Sequence, residues 1–447
     1  MAALNRHTTF RFTLRPTPAQ EAALRRHVGA ARFGFNQCLR IVRDALDAKK
    51  EGADIKVPWS GFDLINAFNA WKRSEIAGVD DNGRPGLPWR SEVCQQVFEE
   101  AAVDLGRALA TFSADRRAGR RRGFPAFKKK SHSRPSFRMR NKATGKKSAI
   151  RFGDGGARSL TLPKLGALAV REDTRRLRRM LAKGRARILF ATVSVRNGRW
   201  TVALNVEAAP LHPDACHPPS HAEAVGIDRG LTTFAVVADA SGNEVERIDS
   251  PRPLRRSLRK LRRTSRRLSR KQKGSRNRRR QRARLSRLHE QIANVRNDFV
   301  HRASSRLAKT QRHLVIEDLC TAGLMRTRLA RSIADSAWAR FATQLGYKTS
   351  WRGGTLTRAH RFYPSTRRCS ACGDVGPRMS LSERVFLCSR CGHEADRDTN
   401  AAVCLAQWPQ VAAKHAETQN ACGEMSAGEQ GFLARETRLD EAGRASA

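Results

Sequence analysis

Two cysteine pairs open the stretch from Cys369 to Ala402. It contains CSACG (369–373), CSRCG (388–392), with fifteen residues between Cys372 and Cys388, and then HEADRDTNAA (393–402). The pairs are Cys369 with Cys372 and Cys388 with Cys391. Two C-x2-C turns of this kind present four thiolates tetrahedrally to Zn²⁺, and the glycine after each pair suits a backbone position of positive φ. The spacing predicts a zinc ribbon rather than two disulfides or four unrelated thiols.

Acidic residues close the same stretch, where Asp396 and Asp398 precede an apolar run. Acids at a helix start are often only favourable partners of the helix dipole. Upstream, however, Asp228 ends the apolar segment AVGID and Glu317 ends LVIE. Strand ends in a mixed sheet can converge, and three carboxylates at one edge would repel each other unless they held divalent cations. Asp228, Glu317 and Asp398, with Asp396 as the alternative third acid, therefore predict two Mg²⁺ ions about 4 Å apart that hydrolyse a phosphodiester.

The composition indicates a polyanionic partner. The chain has 447 residues, enough for two to four domains, and its 87 Lys+Arg against 41 Asp+Glu give a net charge of +46. Such an excess indicates nucleic acid as the partner rather than a small acidic substrate. A membrane surface is a weaker alternative. No apolar run approaches the ~20 residues that span a bilayer, and the N-terminus shows no signal peptide. We interpret the remaining cysteines as reduced thiols of a cytoplasmic protein. They are Cys38, Cys94, Cys216, Cys320, Cys404 and Cys422.

The N-terminal half predicts a helical block flanked by strands. Phe10, Phe12 and Leu14 alternate with polar residues as in a half-buried strand, and Thr17 with Gln20 forms a capping box that begins a helix. Two further helices are predicted over 62–71 and 93–112, and strands over 160–162, 168–170, 188–195 and 200–206. Asn197-Gly198 predicts a tight hairpin between the last two strands. The helices can thus be an insertion between strands of one β unit.

Two segments concentrate the positive charge. Arg116–Lys147 sets Phe127 and Phe137 among basic residues that include Lys128, Lys129 and Lys130, a pattern that suits base stacking and phosphate contact, although a solvated basic linker is the alternative. Residues 251–290 hold 19 Lys/Arg and one acid. Leucines on one face and a break at Lys273-Gly274-Ser275 predict an antiparallel helical hairpin, apolar inside (Leu268 and Val295 included) and basic outside. We expect its phosphate contacts to include Arg278, Arg279, Arg280 and Arg282.

The remaining segments are simpler. A helix is predicted over 333–345 and a strand over 355–362. Residues 210–219 are typical of a linker, and 421–447 of a disordered tail.

Several of these motifs together resemble the TnpB/OrfB proteins of bacterial insertion sequences, which are similar to compact type V CRISPR effector nucleases. The motifs are GIDRGLTTFAVV, VIEDL and DRDTNAA, with CSACG and CSRCG before the third. More moderately, LRPTPAQEAALRRHVGAARFGFNQCL resembles the family's N-terminal helix, GFPAFKKKSHSRPSF its basic motif, and FYPSTRRCSACG its approach to the ribbon. The resemblance runs nearly the full length of the chain.

The resemblance implies a multidomain α/β fold. An RNase H-like RuvC nuclease domain (216–366 and 395–420) would be interrupted by the helical hairpin and by the zinc ribbon (367–394). A β-barrel wedge domain (1–16 and 148–215) would carry an inserted helical recognition domain (17–147). In the family the third catalytic aspartate lies two residues before the asparagine, which selects Asp398 over Asp396. Asn400 would then either support the metal ligands or begin the helix.

The resemblance also implies a function. The protein would be an RNA-guided DNA endonuclease of a transposable element, using a guide RNA, catalytic Mg²⁺ and a structural Zn²⁺ to cleave double-stranded target DNA beside a short motif. We expect it in the cytoplasm, associated with the nucleoid. The alternatives are an RNA-guided DNA-binding protein without cleavage, a DNA transposase, and a basic RNA-binding protein with a structural zinc. The two tyrosines, Tyr347 and Tyr363, offer the transposase no evident nucleophile.

Overall fold

The computed structural model of the chain describes residues 6–79, 83–144, 147–210, 224–380 and 382–421. Most of the predicted linker, all but the first residue of the predicted tail, and the two cysteines Cys216 and Cys422 lie outside these ranges. The chain divides into two compact units, Met1–Pro210 and Leu211–Ala447. Each unit is described in turn.

The first unit begins with the predicted strand and capped helix. Strand β1 (Arg6–Arg15) leads into α1 (Pro18–Lys50) through Thr17. The Thr17 hydroxyl accepts a hydrogen bond from Gln20 N–H, and Gln20 Oε1 accepts one from Thr17 N–H, which confirms the capping box. The two predicted helices that follow are confirmed as α2 (Gly61–Arg73) and α3 (Gln95–Arg117).

A seven-stranded antiparallel sheet, in the order β2-β8-β9-β1-β7-β6-β5, completes the fold of this unit. Its strands after β1 are β2 (Ser136–Arg140), β5 (Arg151–Gly153), β6 (Gly156–Leu162), β7 (Gly166–Val170), β8 (Ala186–Arg196) and β9 (Arg199–Ala208), while β3 (Ala143–Thr144) and β4 (Lys147–Ser148) pair separately. The predicted hairpin joins β8 to β9, with Asn197 and Gly198 at φ of 54° and 77°. Because β1 and β2 belong to one sheet, α1–α3 are an insertion between its strands.

The edges of this sheet are bridged by a side chain. The resemblance implies a closed barrel, but in the described part of the chain no ladder of backbone hydrogen bonds joins β5 to β2. Asn141, just after β2, spans the gap instead: its Oδ1 accepts from Ile150 N–H at 2.7 Å and its Nδ2 donates to Ile188 O at 3.0 Å. Helices and sheet share one hydrophobic core, which runs from Phe12 in β1 to Leu105 in α3.

A short helix, α4 (Arg175–Ala182), was not predicted from the sequence. Its sequence, RRLRRMLA, is short and strongly basic, although Leu177, Met180 and Leu181 recur at i, i+3 and i+4 and pack against the core. Leu177 is fully buried, and the half-buried Met180 and Leu181 help it hold the helix against the core.

The second unit is built on a five-stranded mixed sheet in the order β12-β11-β10-β13-β14. Its strands are β10 (Ala224–Asp228), β11 (Thr233–Asp239), β12 (Glu244–Asp249), β13 (His313–Glu317) and β14 (Thr355–Ala359). The first three are antiparallel neighbours, whereas β10, β13 and β14 are parallel. Ile227 pairs with Ile316, so the carboxyl ends of β10 and β13 lie side by side.

The predicted helical hairpin is confirmed. Helices α5 (Pro253–Ser269) and α6 (Arg276–Thr310) pack on each other around Leu261, Leu288 and Ile292. Val295, predicted to lie inside, is 46% exposed. Beyond Ile292 the apolar residues of α6 join the core of the sheet and of α9 (Trp338–Ser350) instead.

The segment after β13 differs from its prediction at two places. The helix predicted over 333–345 is broken into α8 (Ala330–Ser336) and α9, following the single turn α7 (Thr321–Leu324). Ala337 adopts φ of 57° at the break, where the preceding Asp335 carboxylate accepts from Leu254 N–H at the start of α5. Strand β14 ends at Ala359 rather than 362.

The second unit ends with a small hairpin and a long helix. Strand β15 (Val385–Leu387) pairs with β16 (Glu394–Asp396), and α10 (Arg397–Ala421) follows directly. In the described ranges, no helix combines the length and the apolar character needed to cross a membrane.

Candidate active site and cysteine cluster

Asp228 and Glu317 end two neighbouring parallel strands. Asp228 is the last residue of β10 and is buried, whereas Glu317, the last residue of β13, is half-buried. Arg229 joins the two strand ends, because its Nη2 donates to the Glu317 carbonyl oxygen at 2.6 Å. Only 7% of Arg229 is exposed, and its Nε has no hydrogen-bond partner in the described structure.

The electrostatics of Asp228 show that the three predicted acids lie near each other. Burial raises the pKa of Asp228 to about 8, and the negative charges of Glu317 and then Asp398 contribute to the shift. A carboxyl in this position is protonated at neutral pH unless a cation replaces the proton. The structure thus brings together the acids that the sequence places 170 residues apart.

Helix α10 reaches the strand ends because Gly226 allows close contact. A Cβ at Gly226, two residues before Asp228, would overlap the carbonyl oxygen of Ala402 and lie 2.9 Å from the Leu405 side chain. Only glycine permits this approach of a helix to the backbone of β10. The contact positions the first turn of α10, and with it Asp398, beside the strand that carries Asp228.

Asp396 and Asp398 have different surroundings. The Asp396 carboxylate accepts from Thr399 N–H at 3.0 Å and from Arg247 Nη2 at 3.1 Å. Burial opposes ionisation, but these hydrogen bonds lower the pKa of Asp396 overall. Asp396 therefore stabilises the first turn of α10, whereas Asp398 has only a distant cation, Arg384 at 3.9 Å. These contacts favour Asp398 as the third acid of the cluster.

Glu317 is likewise distinguished from its neighbour. Asp318 pairs with both Arg358 and Arg361 at 3.2 Å. Glu317 instead accepts one hydrogen bond at Oε1, from the buried Ser365 hydroxyl at 2.7 Å. Among the described residues, its second carboxylate oxygen accepts no hydrogen bond.

The three carboxylates suit hard divalent cations. They offer oxygen ligands, which Mg²⁺ prefers, and their repulsion is of the kind that bound cations relieve. In the described part of the chain, they are not among the sets of three or more ligand residues whose donor atoms all lie within 4.8 Å. A single compact cage is therefore absent there. Two ions about 4 Å apart need a wider arrangement of ligands.

The four predicted zinc ligands form one cluster. The Sγ atoms of Cys369, Cys372, Cys388 and Cys391 all lie within 4.8 Å of one another, and two of the S···S distances are 3.7 Å. A tetrahedron with Zn–S bonds of about 2.3 Å has S···S edges of about 3.8 Å, whereas a disulfide measures about 2.05 Å. Gly373 and Gly392 have φ of 78° and 72°, as predicted. The thiols fit a tetrahedral metal.

Hydrogen bonds from α10 hold the first cysteine turn. Asn400, 1% exposed, accepts from Ser370 N–H at 3.0 Å and donates to Arg368 O at 2.8 Å. Gln407 Nε2 donates to Ser370 O at 3.0 Å, and Cys404 Sγ to Arg368 O at 3.2 Å. The cluster and Asp398 thus share one rigid support.

The arginines predicted on the helical hairpin separate into two groups. Arg278 Nη1 donates to the carbonyl oxygens of Leu268 and Lys271 at 2.9 and 2.7 Å. The half-buried Arg278 guanidinium thus closes the turn between α5 and α6, and its predicted phosphate contact stays a prediction for its other N–H groups. Exposed Arg279, Arg280 and Arg282 remain candidates. The first two line a groove of about 590 Å³ together with Arg276, Arg284 and Arg287.

The basic segment of the first unit requires a correction. Phe137 lies in β2, is 3% exposed and contacts the His27 ring at 5.3 Å, so core packing rules out the predicted base stacking. Phe127 is 39% exposed, with the Arg43 guanidinium 4.7 Å from its ring centroid. The Lys128 ammonium lies 3.7 Å from the ring centroid of Phe35, whereas Lys129 and Lys130 are exposed and stay candidates.

Several functional residues could not be identified from the sequence. Ser365 and Arg229 act through hydrogen bonds that no spacing reveals. The arginines of α4 could have been recognised as a basic cluster from the run RRLRR (175–179). This run is much shorter than the two basic segments described above.

Three family profiles match the chain. Residues 209–328 match the family described as "OrfB_IS605: Probable transposase", residues 338–405 the "Cas12f1-like, TNB domain", and residues 1–51 a "Helix-turn-helix domain". In the structure the described part of that last segment is one strand and one uninterrupted helix.

Similar proteins span most of the chain. "Putative RNA-guided DNA endonuclease Rv2885c" of Mycobacterium tuberculosis (strain ATCC 25618 / H37Rv) is 36% identical and covers 89% of this chain and 86% of its own length. "Putative RNA-guided DNA endonuclease InsQ" of Escherichia coli (strain K12) is 30% identical, with 94% and 95% covered. The structure titled "Cryo-EM structure of the Cas12f1-sgRNA-target DNA complex" aligns with a TM-score of 0.55 over 87% of this chain and 83% of that one, at 13% identity. This last similarity shows a shared multidomain α/β fold.

Proposed function

Because the chain belongs to the TnpB/OrfB family, we propose that it is an RNA-guided DNA endonuclease of a transposable element. The relatives that carry such names span nearly the whole chain. The five-stranded mixed sheet would be an RNase H-like RuvC nuclease domain, and Asp228, Glu317 and Asp398 its catalytic acids. The partners would be a guide RNA and double-stranded target DNA, which would place the protein at the nucleoid.

One observation carries the nuclease proposal: the convergence of three acids on a buried position. Burial and the two neighbouring charges raise the pKa of Asp228 to about 8. Such a shift costs free energy, and clusters of this kind are typical of functional sites. A basic RNA-binding protein with a structural zinc leaves this cluster unexplained.

The side chains of the site would have distinct roles in hydrolysis. Two Mg²⁺ ions bound by these carboxylate oxygens would activate a water and stabilise the leaving oxygen of the scissile phosphodiester. Ser365 orients the Glu317 carboxylate, Arg229 fixes the ends of β10 and β13, and Asp396 holds the turn that presents Asp398. A Zn²⁺ in the cysteine cluster would stabilise the support of α10.

The description "Probable transposase" suggests a competing reaction, in which a tyrosine cleaves and joins DNA strands. The Tyr363 hydroxyl donates to Cys404 O at 3.0 Å, and burial raises its pKa to about 12. A nucleophile needs the opposite, a free and easily ionised hydroxyl. Burial also raises the pKa of Tyr347, so neither tyrosine is an activated nucleophile and hydrolysis is favoured over tyrosine-mediated transposition.

Single substitutions at the acids test the proposal. Asp228→Ala, Glu317→Ala and Asp398→Ala should each abolish nicking of a supercoiled target plasmid, because each removes a metal ligand. RNA and DNA affinity in gel shifts should persist, since Lys and Arg contacts to phosphate supply most of it. If all three variants bind but none cuts while the wild type does, the nuclease assignment holds.

Two neighbouring acids provide matched controls. Asp318→Asn should retain cleavage, because its partners are arginines and not a metal. Asp396→Ala should reduce cleavage by roughly 10–100-fold, the usual effect of losing a group that supports a metal ligand. If an Asp398→Ala protein still cuts, Asp396 rather than Asp398 is the third metal ligand. A wild type that binds guide RNA and target without cutting would favour an RNA-guided binding protein.

A further inference from the structure

We infer that a cavity beside α4 binds unstacked nucleotides of an RNA, a proposal that rests on the RNA-guided function proposed above. The cavity measures about 720 Å³ and lies between α4, β5 and the start of β8. Its lining includes five arginines and no carboxylate: Arg151, Arg175, Arg178, Arg179 and Arg187. A cavity of this size, within the roughly 300–1,000 Å³ of small-ligand pockets, suits an inserted nucleotide better than a flat phosphate contact.

The uncompensated charge of the cavity comes from one helix. Arg151 pairs with Asp154, and Arg187 pairs with Glu207 at 2.8 Å. Arg175, Arg178 and Arg179 are exposed and have no carboxylate partner in the described residues. Like charges at i, i+3 and i+4 destabilise a helix. An anion in the cavity offsets that cost, and guanidinium groups bind phosphate bidentately.

The fold holds these arginines in place without a ligand. Leu177, on the opposite side of α4, is 1% exposed, and the buried Thr174 hydroxyl donates to Ala157 O at 2.6 Å just before the helix. Arg178 Nη1 lies 3.4 Å from the same carbonyl oxygen. The helix that carries the arginines is therefore positioned before a ligand binds, which lowers the entropic cost of binding.

The apolar part of the lining favours RNA as the ligand. Phe152 and Leu181 line the cavity and are half-buried. A basic rim with an apolar floor fits a base together with its own phosphates. Unpaired bases in loops, bulges and ends are the features that proteins recognise in RNA, whereas the bases of duplex DNA stay stacked and paired and offer mainly phosphates to such a surface.

A charge-matched pair of variants tests the inference. In Arg175→Gln/Arg178→Gln/Arg179→Gln the cavity loses three charges, and in Arg176→Gln/Arg196→Gln/Arg199→Gln the same unit loses three charges outside the cavity. The probes are a labelled 20-nucleotide single-stranded RNA, single-stranded DNA of the same sequence, and a 20-bp DNA duplex, titrated in EDTA. The cavity variant should flatten the log–log salt slope for RNA by about 2, since each phosphate contributes about 0.7 on single strands. The control variant should change it by less than about 1.

Two further measurements locate the contact. RNA carrying 4-thiouridine should cross-link to peptides that contain Phe152 or Leu181 in the wild type and not in the cavity variant. Arg175→Gln/Arg179→Gln retains the Arg178 contact, so it separates lost binding from altered folding and should still flatten the slope by more than 1. Equal flattening with either DNA probe, an unchanged RNA slope, or cross-links only elsewhere would overturn the inference. Since no metal is present, failure here leaves the test of the catalytic acids unaffected.

Discussion

The individual acids of the candidate site differ more in their surroundings than in their sequence context. Asp228 and Asp396 each precede an arginine, yet one is buried among carboxylates and the other accepts from Thr399 N–H and Arg247. Their pKa values move in opposite directions as a result. A perturbed carboxyl beside other acids is a candidate ligand, and a satisfied one is a structural cap.

The raised pKa of Asp228 predicts a pH-dependent stability difference in metal-free protein. The folded pKa of about 8 exceeds the unfolded value of about 3.9, so folded protein binds more protons than unfolded protein between these values. The wild type therefore loses stability as pH rises from about 4 to about 8, and no further loss from this group follows above 8. Asp228→Asn removes the titration. Its melting temperature in EDTA should exceed that of the wild type by more at pH 8.5 than at pH 5.

A matched measurement keeps this prediction specific. Asp318→Asn removes a carboxylate that pairs with two arginines, so it should not stabilise the protein at either pH. A melting difference for Asp228→Asn that stays constant from pH 5 to 8.5 would show that the carboxyl ionises normally and contradict the prediction.

At the scale of elements, periodic features were predictable from sequence and contact-dependent features were not. The capped start of α1, the Asn197-Gly198 hairpin and the break between α5 and α6 each follow from local chemistry. The break at Ala337 and the exposure of Val295 depend on where α8 and α6 pack, which no local pattern shows. Asp228 and Glu317 could be identified because each ends an apolar segment, and Asp398 because it precedes one. Ser365 could not, because its role comes from a hydrogen bond across 48 residues.

The contact between α10 and the first cysteine turn predicts that zinc retention depends on Asn400. Asn400→Ala would leave Ser370 N–H without its buried partner and Arg368 O with only the weaker Cys404 thiol as donor, at a cost of about 1–3 kcal/mol. The variant should melt at lower temperature and lose zinc to a chelator faster than the wild type. Cleavage should fall as well, since the same helix carries Asp398.

Arg390→Gln serves as the control for this prediction. Arg390 lies on the second cysteine turn, and its guanidinium approaches Asp374 no closer than 3.9 Å, so its loss should leave zinc release unchanged. Equal rates of zinc release from Asn400→Ala and the wild type would mean that the cluster is held without help from α10.

On the scale of the whole molecule, the charge of +46 is concentrated on separate surfaces. The first unit carries exposed cations around Lys129 and Lys130 and on α4, and the second carries them on the α5–α6 hairpin. Exposed ion pairs contribute little to stability, and an excess of one sign destabilises a compact fold by repulsion. Nucleic acid on these surfaces would relieve that repulsion, so binding should depend steeply on salt.

The groove on α6 allows the contribution of the hairpin to be measured. Arg279→Gln/Arg280→Gln/Arg284→Gln removes three charges from the groove while leaving the turn intact. If these side chains neutralise phosphates of a DNA duplex, the log–log salt slope should flatten by about 2.7, at about 0.9 for each phosphate. Cleavage at low salt should survive, because no carboxylate is altered.

Arg278→Gln separates charge from structure in the same helix. Arg278 donates to two carbonyl oxygens at the end of α5, so its replacement should lower the melting temperature and change the slope by less than about 1. Arg282→Gln, exposed and outside the groove, should leave the melting temperature unchanged and flatten the slope by at most about 0.9, the contribution of one phosphate. If the groove variant keeps the wild-type slope, the hairpin is a solvated face and the affinity must come from the first unit. A slope change at Arg278 as large as that of the triple variant would instead mean that the turn itself contacts the duplex.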